Sequence, residues 1–361
     1  LELFLRSLSS KGSKNKKGGF KMKKALKAAS LATILSLALA GCGGGSSEKK
    51  TASADATEGK QTVLELSIPE PEGAKFDVAA KAFKEELENL TDDQMTVKIH
   101  YNNALGGERE VFELMGMGSL DMAIQSAGPM GNWVPEFNMF DLPFLFDNRE
   151  HAHAVLDGEI GDELAQKFEE QTNVKVLGWV ENGFVATSSN KAINSVEDVK
   201  GLKVRVQENE LQIDAWKAYG ADATPMAWTE VFTGLQQGVI DGHSNSLATI
   251  QTSKIFEVQT HVALLEDRYA PGPISISKTT FDGLTPDQQD AVLKAAAHAE
   301  PIGRQANEDK INEAAKFLKD QGLELTEPDK ESFKAKTDGV YEKWAPKIGE
   351  EIIEKVKNLD Y

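Results

Sequence analysis

The strongest restriction on the fold is a regular exchange of two hydrophobic periods from Thr62 onward. Val63 to Ile68 has strand character and ends at Pro69. Phe76 to Leu90 then places apolar residues at Phe76, Ala79, Ala80, Phe83, Leu87 and Leu90, the stripe of a helix. Met95 to Tyr101 alternates and predicts a strand, Glu108 to Met117 a helix, and Leu120 to Ile124 a short buried strand. An apolar, proline-interrupted segment covers 137–146, followed by a helix over about 149–170 and a strand over 174–180. Ser195-Val196-Glu197-Asp198 has capping-box spacing, and Gly201 stops that short helix. Leu202 to Val206 reads as a strand, Leu211 to Tyr219 as a helix, then a strand ends near Pro225 and a helix covers Thr229 to Gln237. Pro273 to Ser277 alternates, and Thr285-Pro286 opens a helical stretch to about Gln321, with a break or bend expected near Pro301. Strands alternating with helices predict an α/β protein with mixed sheets. The absence of a 20–50-residue repeat excludes a solenoid.

The N-terminal part has a different character. Lys21 to Lys27 is positively charged, Ala28 to Leu39 is apolar, and Leu39-Ala40-Gly41-Cys42 closes the run. A charged start, a short apolar core and small residues at its end form an export signal, whereas a spanning helix needs about 20 apolar residues. The last four residues resemble a lipobox, which implies a lipid on the Cys42 thiol. Residues 22–41 are thus expected to be a lipoprotein signal peptide, and residues 1–21 upstream sequence, with Met22 the natural start. The Gly-, Ser- and Ala-rich stretch 42–61 lacks apolar periodicity and reads as a tether, with a reach of about 25 Å and a taut limit near 60 Å.

Charge narrows the partners. The segment before Cys42 holds nine of the 40 Lys and Arg and one of the 57 Asp and Glu, so the remainder carries a net charge of −25. That balance repels phosphate backbones, and nucleic-acid binding is not expected. Cys42 is the only cysteine, which leaves stability to core packing. Some 300 residues suffice for two domains.

Enzyme motifs fail one after another. The chain has no G-x-S-x-G elbow, no Walker A sequence, no G-x-G-x-x-G after a strand and no H-E-x-x-H. His151 and His153 lie two apart on a predicted helix, cannot share a face, and are expected to be solvent-exposed. No metal or cofactor is expected.

Five segments, in order, carry a resemblance. They are Leu105 to Glu110 (LGGERE), Gly118 to Met122 (GSLDM), Gly201 to Val206 (GLKVRV), Thr224 to Phe232 (TPMAWTEVF) and Leu235 to Gly242 (LQQGVIDG). Together they resemble the DctP-type extracytoplasmic solute-binding subunit of TRAP transporters, from about Thr62 to the C-terminus. The resemblance implies a bilobed, periplasmic-binding-protein-like α/β fold with two mixed-sheet domains and a long domain-spanning helix. The expected domains are 62–182 with about 271–310, and 183–270 with about 311–361. It also implies a small organic-acid ligand in the cleft between them and delivery to a small and a large membrane subunit driven by an ion gradient. A surface-anchored hydrolase of glycans and a ligand-sensing partner of a membrane receptor are the rival readings.

Within that resemblance, Arg205 matches the arginine that pairs with the ligand carboxylate, where a planar guanidinium gives two parallel hydrogen bonds. Asn245 matches a ligand-contacting amide, or else makes a local Asx-type turn. Gln125 ends a strand and stands where some relatives have an acid. Trp133, Phe184 and Trp228, with Phe232, either wall the pocket or pack in the core. Glu70, with Glu72, either reaches ligand hydroxyls or is a solvated loop carboxylate. Sialic-acid-binding relatives carry a second arginine where this chain has Val185. Arg268 either replaces it or pairs with Glu266 or Asp267 on the surface.

Overall fold

The computed structural model describes residues 61–361, so the expected signal peptide, Cys42 and the tether lie outside the described residues. The strands are β1 Thr62–Ser67, β2 Met95–His100, β3 Met122–Ile124, β4 Val174–Phe184, β5 Ala186–Ser189, β6 Lys203–Val206, β7 Asp222–Pro225, β8 Gly242–Asn245, β9 His261–Ala263, β10 Tyr269–Ser277 and β11 Glu324–Thr326. They form two sheets, ordered β2-β1-β3-β10-β4 and β11-β9-β5-β8-β6-β7. Both sheets are mixed: β1 runs parallel to β2 and β3, and β10 antiparallel to β3 and β4. In the second sheet β6 runs parallel to β7 and β8, while β5 is antiparallel to β8 and β9.

The chain passes from one sheet to the other at Val185, between β4 and β5, and returns between β9 and β10. The two crossings are bonded together: Val185 N donates to Arg268 O at 3.3 Å, and Glu266 N to Val185 O at 3.0 Å. A third connection is the helix Pro286–Asp320, 35 residues long and opened by the predicted Thr285-Pro286 pair, to which Gln288 adds a capping box. Its first half packs Ala291, Val292, Ala295, Ala296 and Ala299 into the core of the first sheet; further on, Ala314 and Leu318 join the core of the second. Pro301 sits inside this helix without ending it. A proline there leaves the carbonyl four residues back without its helical partner, and Ala297 is solvent-exposed, so water can supply one. Gly303 is needed for close approach, since a Cβ there would lie 2.6 Å from Val180 Cγ1 and 2.8 Å from Ala79 Cβ. Side chains of the same helix cover the edge of β4: Trp179 N donates to Glu300 and Arg304 Nε to Trp179 O. Capping an open edge in this way removes a site for pairing with another chain.

Several sequence expectations need correcting here. The single helix over 149–170 is two, Arg149–Leu156 and Glu159–Thr172, interrupted at Asp157 and Gly158. The last helices, Asp338–Ile348 and Glu350–Lys357, were expected with the second domain. They pack Val340, Trp344, Ile348, Ile353 and Val356 into the cluster built on Phe137, Phe140 and Phe146, as well as against the helix Glu210–Tyr219. This packing also buries His151, which is 1% exposed, bonds Val356 O through Nε2 at 2.8 Å and stacks on Tyr361. His153 bonds Glu181 at 3.0 Å. Neither histidine is the free surface residue expected. No helix among the described residues is long and apolar enough to cross a membrane.

Candidate functional site

Parallel strands aim their C-terminal ends at one crevice, and the residues just beyond them are placed to meet a ligand. In the first sheet these are Glu70 after β1, Asn103 after β2 and Gln125 after β3. In the second they are Gln207 after β6 and Asn245 at the end of β8. Hydrogen bonds join the two sets: Gln207 Nε2 to Ser126 Oγ at 3.0 Å, and Asn209 Nδ2 to Gly128 O at 2.9 Å. The turn after β2 uses Asn102 and Asn103 at φ 56° and 53°, a left-handed region that asparagine tolerates better than most residues.

Arg205 lies at the centre of this crevice and is 3% exposed. Its Nε donates to Met226 O at 2.8 Å, and one terminal nitrogen to Glu108 Oε2 at 3.3 Å. The Trp228 ring lies beneath it, 5.6 Å from the guanidinium carbon to the ring centroid. The remaining terminal nitrogen, Nη1, donates to no protein group among the described residues. Burial lowers the pKa of the guanidinium, opposed by the Glu108 charge; an arginine nonetheless stays charged. Glu108 opens the helix Glu108–Gly116 from the first half of the molecule and also accepts from Gln207 Nε2 at 2.8 Å.

His243 is the register partner of Arg205 on β8 and sits 5.6 Å, ring to ring, from Trp228. Gln259 Nε2 donates to Asp241 O and Val258 O, so its Oε1 takes the Ser188 hydroxyl proton at 3.1 Å. Ser188 Oγ therefore accepts from His243 Nδ1–H at 2.7 Å, which leaves Nε2 as a bare acceptor. That nitrogen is buried without a partner among the described residues. Burial, reinforced by the Arg205 charge, holds the imidazole neutral with a pKa of about 3.

The predicted site residues separate into two groups. Arg205, Trp228 and Asn245 come together at the ends of β6 and β8. Asn245 is buried, and its Oδ1 accepts the N–H of the next residue, Ser246, at 2.9 Å. Gln125 is fully buried across the crevice; its Nε2 donates to Asn103 Oδ1 at 3.2 Å, and both Gln125 Oε1 and Asn103 Nδ2 lack partners among the described residues.

The others are engaged with protein partners: Trp133, Phe184 and Phe232 away from these strand ends, Glu70 and Arg268 beside them. Glu70 is neither solvated nor free: it is 2% exposed, paired with the equally buried Lys75, and accepts from Thr249 at 3.1 Å. Glu72 is the exposed one, paired with Lys81. Trp133 packs edge-on between Phe112 and Phe168, centroids 6.1 Å from each, in the aromatic core. Phe184 lies on Tyr269 and faces a separate cleft of about 470 Å³ with Phe144, Asn148 and Lys334. Phe232 is half-buried in the core of the second sheet. Arg268 pairs with neither Glu266 nor Asp267 but with Asp141 at 3.1 Å, and is 8% exposed. Asp141 also accepts from Gln212 and Asn209; burial pushes its pKa up to about 6 despite Arg268. Asp267 bonds Tyr219 instead, and Glu266 bonds Lys330.

Sequence reasoning missed Glu108, Gln207 and His243 as site residues. One signal was available for Gln207: two residues beyond Arg205 on a strand, it shares that face. Glu108 stood inside a recognised motif, but its partner lies 97 positions away.

Two α/β halves joined by crossing strands and a long helix, with a buried cation in the crevice between them, define a two-lobed binding protein. The model of the bacterial extracellular solute-binding protein family 7, DctP, matches residues 69–347, and the chain belongs to that family. A solute-binding protein of Verminephrobacter eiseniae is 36% identical over 305 residues, 84% of this chain and 91% of that protein. The crystal structure of a TRAP periplasmic solute binding protein from a Polaromonas species, bound to D-erythronate, has a TM-score of 0.81 and 35% identity, covering 83% of this chain and 100% of that one. The sugar acid binding protein DctPAm from Advenella mimigardefordensis, in complex with galactonate, has a TM-score of 0.80 and 34% identity, covering 83% and 97%.

Proposed function

We propose that this chain receives a small organic acid in the crevice between its two sheets, with Arg205 holding the carboxylate, and delivers it to the small and large membrane subunits of a TRAP-type transporter. The carrying observation is the state of Arg205: a buried guanidinium over an aromatic face, with a terminal nitrogen left without a partner among the described residues. A desolvated arginine of this kind binds a carboxylate strongly because water no longer competes. The acids bound by the two solved relatives, erythronate and galactonate, each carry one carboxylate, which agrees with a site centred on one such arginine. Val185 is a buried apolar residue, and Arg268 already has a charged partner, Asp141, on one terminal nitrogen, although its Nε has none among the described residues. We further propose that Cys42 carries a lipid and that 42–61 tethers the receptor near its membrane partner; the export pattern before Cys42 supports this.

The test is calorimetry of the purified protein against a panel of organic acids, repeated with Arg205→Ala. Loss of the charged pair should weaken the best ligand by about 2–5 kcal/mol, 30-fold or more. Unchanged binding would remove Arg205 from the role. For the anchor, mass spectrometry of the membrane fraction should find a diacylglyceryl-modified Cys42, absent after Cys42→Ser.

A further inference from the structure

Arg205 does not stand in the crevice alone. Glu108 reaches it from the other half of the molecule, at 3.3 Å, with its second oxygen on Gln207 at 2.8 Å. The carboxylate is only 11% exposed. An ionised carboxylate has about four lone-pair sites and no donor, and two of them are used here. His243 Nε2, on the register partner of Arg205, is a second acceptor-only atom, buried and unpartnered. The surroundings of the cation are thus rich in acceptors that still lack donors.

We infer that Glu108 is a specificity-determining residue, restricting the crevice to carboxylates that carry a hydroxyl beside the carboxyl group. This rests on the reading that Arg205 holds the ligand's carboxylate. A bare carboxylate docked there sets two like charges on one guanidinium in a low-dielectric site, where they repel strongly. A hydroxyl on the neighbouring carbon changes the contact: its O–H donates to Glu108, and lone pair meets proton. A keto oxygen in the same place turns lone pairs toward lone pairs, and a second carboxylate adds a further negative charge. A site built to receive a hydroxyl discriminates strongly against analogues without one, because its own buried polar group is then left unpaired.

The test measures D-erythronate, 2-hydroxybutyrate, 2-ketobutyrate and malonate by calorimetry against the parent protein, Glu108→Gln and Arg205→Ala. Thermal melts would confirm that each variant is folded. The parent should prefer the better of the two hydroxy monoacids over the keto acid by about 10-fold or more. Glu108→Gln keeps the shape and an oxygen for Gln207, and its amide can donate to a keto group, so the preference should collapse to within about threefold. A parent that binds the keto acid equally well overturns the inference. So does a Glu108→Gln variant that binds every acid tighter by one common factor, since Glu108 would then be an internal competitor for Arg205. Uniform weakening overturns it too, because Glu108 would then only position the arginine. If the parent binds none of the four acids and Arg205→Ala changes nothing, the organic-acid reading itself falls, and this inference with it. Binding that needs Arg205 but shows no Glu108-dependent preference sinks only the inference.

Discussion

Two buried charges in this molecule are treated in opposite ways. Glu181, at the end of β4 where the chain leaves the first sheet, is 0% exposed and meets Arg149, His153, Tyr269 and Asn307 from three different elements. Burial alone would raise its pKa; the hydrogen bonds from His153 and Tyr269 and the Arg149 charge outweigh that and hold it at about 2. Arg205 is almost as buried, yet among the described residues its one acidic partner stands at 3.3 Å and a terminal nitrogen is left over. A saturated buried charge fixes structure; one with bonding capacity to spare is suited to something that arrives from solution.

If that contrast is sound, the two clusters should fail differently. Glu181→Ala leaves Arg149 and His153 without their buried partner, and urea denaturation should register a loss of about 3–5 kcal/mol. Ligand affinity per folded molecule should change less than threefold, and a larger change would erase the contrast. Arg205→Lys reverses the pattern: charge is kept but the planar fork is lost, so affinity should fall about 10-fold with unfolding free energy nearly unchanged. Acid separates the clusters by pH. The folded pKa of Glu181 lies below its ordinary 4.5, so its contribution is complete above that value and is lost as pH falls toward about 2. The folded pKa of His243 lies below 6.5, so stability is also lost as pH falls from there toward about 3. Glu181→Gln should flatten the stability profile only below about pH 4.5, and His243→Asn should flatten it from about pH 6.5 downward. The smallest effect expected is that of Trp228→Leu, which removes the aromatic face under Arg205. Affinity should weaken by about 0.5–1 kcal/mol without a matching loss of stability.

The sequence carried the architecture further than the site. Elements with long apolar stripes, such as 75–90 and the helix opened by Thr285-Pro286, were readable because their periodicity is local. The strands β5 (ATSS) and β8 (GHSN) were not, since short polar strands buried between neighbours have no periodic signature. Arg205 was legible as a charge inside an apolar strand, and Trp228 through its place in a motif. Arg268 and Phe184 met partners remote in sequence, Glu70 pairs with nearby Lys75 as well as distant Thr249, and Trp133 took the core packing that was one of its two readings. Arg268 meets Asp141 127 positions away, and Thr249 reaches Glu70 across 179. His151 was misread for the same cause, because its cover comes from a C-terminal segment 205 residues on.

The helix Pro286–Asp320 has a mechanical consequence. At 1.5 Å per residue it is a rod of about 52 Å, long enough to run past both sheets. Its first half is clamped as far as Gly303, pressed against Val180 and Ala79, and Asn307, bonded to Glu181, while the far end is embedded with Ala314 and Leu318 among the side chains of the second half. Any change in the angle between the halves must flex this rod or slide one half along it. Pro301 lies within the clamped stretch, so the bending falls on the residues between Asn307 and Ala314. The molecule thus has a leaf spring in its backbone, and part of the work of gripping a ligand would be stored as curvature, to be returned when the ligand is handed on.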